Sequence, residues 1–115
     1  MANTFKVVTK AGVTSADVIY TVAGSTTTVV LGLILGNTTS NSITATVTLG
    51  TDTANRAGAN NETNQDVELI TATPIPGNSS LELLSGNKVV METTDTLSVT
   101  GSAATDVVLS IMEIT

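Results

Sequence analysis

The stretch Ile43-Thr44-Ala45-Thr46-Val47-Thr48-Leu49 alternates apolar and hydroxyl side chains without a break. Successive side chains of an extended strand point to opposite faces, so this pattern buries Ile43, Ala45, Val47 and Leu49 and leaves the threonine row at the surface. It predicts a half-buried strand. Threonine makes up about a fifth of the chain and valine is the next commonest apolar residue; both are branched at Cβ and suit a pleated surface.

Working outward, further strand patterns lie near 4–9, 17–23, 27–36, 66–73, 80–84, 87–92, 95–100 and 106–114, each bounded by Gly, Asn, Ser or Pro. No window of a dozen residues keeps apolar positions at helical spacing. The expectation is a single all-β domain over residues 1–115, a sandwich of about eight short strands with essentially no helix. Jelly-roll and immunoglobulin-like strand orders both remain open. At 115 residues with 41% hydrophobic content, the chain can bury one core.

Three places break the alternation. Val29-Val30-Leu31-Gly32-Leu33-Ile34-Leu35 is apolar on both faces, although a sandwich covers only one. A loop, a second subunit, or a bulge that re-aims the strand would each account for it. Val107-Val108-Leu109-Ser110-Ile111-Met112-Glu113-Ile114 poses the same question, with Val108 and Met112 off the face of Val107, Leu109 and Ile111. Val30, Ile34, Val108 and Met112 are therefore the candidate subunit or partner contacts, because exposed apolar stripes are uncommon on monomers. The third break is the polar loop 51–65, in which Asp52, Asn55, Asn60, Asn61, Glu62 and Asp66 carry oxygen ligands suited to calcium. Their spacing does not match an EF-hand, and a solvated loop is the expectation. The N-x-S/T triplets at Asn37, Asn61 and Asn78 are of a kind that arises by chance in so Asn- and Thr-rich a chain.

Composition removes most chemistries. The chain has no His and no Cys, one Tyr and one Phe, which excludes imidazole bases, thiol nucleophiles, disulfides and Cys/His metal sites. A carboxylate pair such as Glu82 with Glu92 lacks sugar-stacking aromatics, and a Ser–Lys arrangement would need Lys88 desolvated. No Gly-rich phosphate loop occurs. The expectation is no enzyme and no cofactor. A net charge of −6, with only Lys6, Lys10, Arg56 and Lys88 as cations, argues against nucleic acid as a partner. No apolar run approaches the length of a membrane helix, and MANTFKVVTKAG lacks the apolar segment of a secretory signal.

Two stretches carry a family likeness. One is Asp17-Val18-Ile19-Tyr20-Thr21-Val22-Ala23-Gly24-Ser25-Thr26-Thr27-Thr28 with the following Val29–Leu35 strand and Asn37-Thr38-Thr39. The other runs from Thr73-Pro74-Ile75-Pro76-Gly77-Asn78-Ser79-Ser80-Leu81-Glu82-Leu83-Leu84 through Met91-Glu92 and Asp95-Thr96-Leu97-Ser98-Val99 to the last strand. Together they resemble small virion structural proteins of tailed bacteriophages, of the marine and cyanobacterial phage type. The resemblance implies an accessory protein of the particle, assembled in the host cytoplasm: a capsid decoration protein bound to the head as a small symmetric oligomer, a trimer favoured, or else a tail or neck adaptor. It supplies no binding residues. The implied partners are other copies of the chain and the major capsid protein or tail and neck proteins. Residues 1–10 would be a β-rich arm able to pair with a capsid strand edge, or simply the first strand of the sandwich. A surface receptor- or glycan-binding module using the 51–65 loop is a further alternative that the scarcity of aromatics disfavours.

Overall fold

The computed structural model describes residues 2–52, 65–84 and 86–115. They form nine strands: β1 (Asn3–Val13), β2 (Asp17–Thr21), β3 (Thr27–Asn37), β4 (Ile43–Thr51), β5 (Gln65–Ile75), β6 (Ser80–Leu83), β7 (Val89–Met91), β8 (Thr96–Gly101) and β9 (Thr105–Ile114). One sheet, A, runs β1-β9-β3-β6, with β7 also on β3; the other, B, runs β2-β8-β4-β5. The expected all-β sandwich is what forms, with no helix among the described residues. The count is nine because the strand along the outer edge of β3 is broken. Residues 80–83 pair with Leu33–Gly36 and residues 89–91 with Thr28–Val30, while Leu84 and residues 86–88 belong to neither pairing.

Counting β6 and β7 as one broken strand gives antiparallel pairs β1·β9, β2·β8, β3·β6/β7 and β4·β5, with β9 beside β3 and β8 beside β4. That is one long hairpin rolled up into two sheets, the jelly-roll order, and it settles the choice the strand count left open. The immunoglobulin order does not have this nesting.

The core lies between the sheets. Leu33, Leu35, Val107, Leu109, Ile111 and Met91 from sheet A meet Ala45, Val47, Ile75, Leu97 and Val99 from sheet B, all buried. Ile43, Ala45 and Val47 are buried as the alternation requires, and Leu49 packs against the core at its margin. Each such aliphatic side chain contributes about 1.5–3 kcal/mol of transfer free energy.

In β3, one expectation fails. The register against β9 runs Val30↔Ile111 and then Gly32↔Ser110, so Leu31 is an extra residue, a β-bulge. The bulge resets the alternation. Val30 joins Leu33 and Leu35 on the core face and is fully buried, so it is not a surface contact; Ile34 stays on the outer face. Residues 3–10 form no free arm either: they are the regular part of β1, paired with β9 from Asn3↔Ile114 to Lys10↔Val107.

Polar groups inside the sandwich are paired. At one end the Tyr20 hydroxyl donates to Glu113 Oε2 at 2.6 Å, lies 2.8 Å from Thr28 Oγ1, and so ties β2 of sheet B to β3 and β9 of sheet A. Lys6 Nζ reaches Glu113 Oε1 at 2.7 Å. At the other end Asn37 is buried; its amide nitrogen donates to the carbonyls of Asn41, Ile75 and Pro76, and its Oδ1 accepts from the backbone N–H and hydroxyl of Thr39. Gly77 sits against this hub, where a Cβ would run into the Ser40 carbonyl. Only glycine fits there.

Candidate functional site

Side chains of sheet A that point away from sheet B form ladders across its strands. From β1 through β9 to β3 and its edge partner, one row reads Phe5, Met112, Val29, Val90. Further along the strands, Val7, Ser110 and Gly32 make a second row, and Thr9, Val108, Ile34 and Glu82 a third. Flanking rows are polar at most positions: Asn3, Ile114 and Thr27 at one end, Asp106, Gly36 and Ser80 at the other. An apolar centre inside a polar rim is the anatomy of a protein contact surface.

Exposure follows the same map. Phe5 is 71% exposed, Val7 62%, Val90 60%, Ile34 40% and Val108 37%, while Met112 and Val29 are partly exposed. Together they make an apolar patch on the order of 500 Å², in the upper part of the range for the largest patch of an ordinary monomer, a patch that is often functional. Glu82 is the single charged residue in the three central rows. Beside it Gly32 leaves a depression of about 210 Å³, walled by Ile34, Leu33, Leu83 and Glu82, where an incoming side chain can seat.

Of the four residues singled out from sequence, Ile34 and Val108 are direct cross-strand partners on this face, Met112 lies two rows away, and Val30 is in the core. Phe5, Val7 and Val90 were missed. The signal for the first two was present: in Thr4-Phe5-Lys6-Val7-Val8-Thr9 the odd positions carry an apolar face of their own. Val90 is the middle residue of a three-residue strand, too short for any periodicity to show.

Elsewhere the chemistry-bearing residues are dispersed or committed to structure. Glu82 pairs with Ile34, whereas Glu92 accepts a hydrogen bond from Thr27 at 2.9 Å. The length of β3 holds them about 20 Å apart, well beyond the spacing of a glycosidase carboxylate pair. Asp52 and Asp66 border a polar recess with Thr94 and Thr96, and among the described residues no three acidic, His or Cys side chains cluster to hold a metal ion. Asn55, Asn60, Asn61 and Glu62 lie outside the described residues. The Asn37 amide is consumed by backbone carbonyls and offers no glycan acceptor.

Two groups are shifted by the polar cluster at the Tyr20 end. Burial, reinforced by the Glu113 carboxylate, pushes the Tyr20 hydroxyl up to about 12. The Lys6 ammonium, followed by the Tyr20 hydroxyl, holds Glu113 below the ordinary carboxylate range. The Tyr20–Glu113 bond pins one sheet to the other, and Lys6 holds Glu113 from the neighbouring strand of the same sheet, so these groups serve the structure.

Compared with protein-family models, with curated proteins and with solved structures, this chain gives no significant match.

Proposed function

We propose that this jelly roll is a non-enzymatic structural protein of a bacteriophage virion, a decoration protein that packs on the outer surface of the head as a small symmetric oligomer. The observation that carries the reading is the outer face of sheet A: three adjoining, almost uncharged rows through Phe5, Met112, Val29, Val90, Val7, Val108 and Ile34. A chain of net charge −6 that keeps its charges off one broad apolar face is built to cover that face with protein. The sequence likeness to small phage virion proteins supplies the setting. Jelly rolls serve viral capsids as well as lectins and cupins, so the fold agrees with this setting without selecting it.

The energetic logic is cross-linking. A protein that touches several capsid subunits turns weak single contacts into stable attachment by avidity. Mixed with undecorated phage heads and pelleted, the purified protein is expected to co-sediment and to saturate at a fixed number of copies per head. Absence of co-sedimentation at concentrations that saturate would overturn the capsid reading in favour of a tail or neck position.

A further inference from the structure

We infer that β1 is the seat of a two-fold contact between copies of this chain, formed by antiparallel pairing of β1 with β1 across the open edge of sheet A. The hydrogen-bond phase of β1 carries the inference. Ala2 and Thr115 exchange both backbone hydrogen bonds, and the register runs without a shift from Asn3↔Ile114 to Lys10↔Val107. In an antiparallel ladder, bonded and non-bonded pairs alternate, so the even residues of β1 spend their N–H and C=O groups on β9. The odd residues Asn3, Phe5, Val7 and Thr9 turn theirs outward, and no described strand pairs with that side. It is a template for another strand.

The remaining sheet edges do not offer one. β2 has five residues and a register shift, β5 carries Pro74 and borders two shifts, and β6 and β7 are fragments of four and three residues. Among the described strands β1 alone presents a long regular edge. Lysines commonly blunt exposed edges, yet here Lys6 is drawn to Glu113 at 2.7 Å and Lys10 to Asp17 at 3.3 Å. Both cations lie on the inner face, away from Phe5 and Val7.

The sequence of the edge selects both occupant and register. With Val7 on the two-fold axis, Val7 meets Val7, Phe5 meets Thr9, and Lys6 lies across from Val8. Moving the axis to Lys6 would set Lys6 directly against Lys6, which like-charge repulsion disfavours. A second copy thus fits its own edge over residues 3–11, a strip about 30 Å long. The two outer faces then lie on one side of a continuous sheet and their apolar patches merge around Phe5 and Val7. Such a contact buries on the order of 1,000 Å² in total, the low end of specific interfaces. It yields a two-fold assembly, where the sequence alone favoured a trimer. The contact stands apart from the virion reading and is tested without heads.

The test is sedimentation equilibrium over micromolar to submillimolar concentrations, on the wild type and on Val7→Pro. The Val7 N–H faces the open edge, so proline there removes a bond of the contact and none of the β1·β9 ladder. The wild type is expected to reach twice 11.6 kDa, and Val7→Pro to retain its β circular dichroism while associating about tenfold or more weakly. The chain has no Cys, so single cysteines report the register directly. On mild oxidation Val7→Cys should give a disulfide dimer, and Phe5→Cys should cross-link with Thr9→Cys but not with itself. A wild type that stays monomeric overturns the inference, as does a dimer indifferent to Val7→Pro. If Val7→Pro fails to fold, the cysteine pattern decides, and cross-linking that ignores position overturns it.

Discussion

Asn37 is 3% exposed and divides one side-chain amide among three carbonyls on two separate stretches of chain, the turn after β3 and the end of β5. Removing it takes a donor from each of these carbonyls, although Asn41 keeps the Thr39 hydroxyl and Pro76 that of Ser79, and leaves the Thr39 N–H without its acceptor. Asn37→Ala is expected to lower the free energy of unfolding by about 2–4 kcal/mol in urea titrations; a change within experimental error would show the hub to be dispensable. In the sequence this residue looked like the head of an N-x-T triplet. Its partners Ile75 and Pro76 sit 38 and 39 positions away, and no local pattern announces them.

Tyr20 and Glu113 set the pH limits of the same molecule. Glu113 is more acidic when folded than when unfolded, so its contribution is present above the ordinary carboxylate range and fades as pH falls through its lowered value. Tyr20 holds its proton more tightly when folded, so its contribution is complete below its ordinary value of 10.0 and is lost as pH rises towards about 12. As the sole tyrosine, Tyr20 titrates visibly in the ultraviolet. The midpoint is expected near 12 in the wild type and lower in Glu113→Gln, still above 10 because burial is the larger cause. An unchanged midpoint in Glu113→Gln would contradict the pairing.

At the scale of elements, β4 and β3 mark the range of what the sequence could tell. In β4 the alternation was strict and the burial follows it, with Ile43, Ala45 and Val47 inside and Thr44 outside. In β3 both faces were apolar, and period-two reading assigned Val30 and Ile34 to one side. The extra residue Leu31 parts them, because a bulge shifts every following side chain to the opposite face. Deleting Leu31 should therefore close the ladder, with Val30↔Ile111 followed directly by Gly32↔Ser110, keep Thr28 and Val30 inside and Val29 outside, and leave a soluble protein that unfolds cooperatively. Leu31→Ala, which keeps the bulge and trims a partly exposed side chain, should cost about 1 kcal/mol or less. A Leu31 deletion that came out insoluble, or that melted without cooperativity, would contradict this assignment. The split of the β3 edge into β6 and β7 was legible as two separate strand patterns near 80–84 and 87–92. That both lie on β3 was not, since strand order is a long-range property.

Across the whole molecule, charge and topology act together. Rolling the chain as one long hairpin places β1, β9 and β3 side by side, which gathers Phe5, Met112 and Val29 from the two ends and the first third of the sequence into one row. Sequence reading found Ile34, Val108 and Met112 as residues in search of a cover but could not assemble them into a face. The acidic balance keeps the rest of the surface solvated and mutually repelling, while the centre of that face is left without charge to repel a neighbour. The measurement that bears most directly on this account is saturation co-sedimentation with undecorated heads of Ile34→Asp and Val108→Asp, beside Thr44→Asp on the outer side of sheet B. All three should fold, Thr44→Asp should bind as the wild type does, and the two sheet A variants should lose binding by about a hundredfold or more. Equal binding by all three would place the contact elsewhere and contradict the central claim.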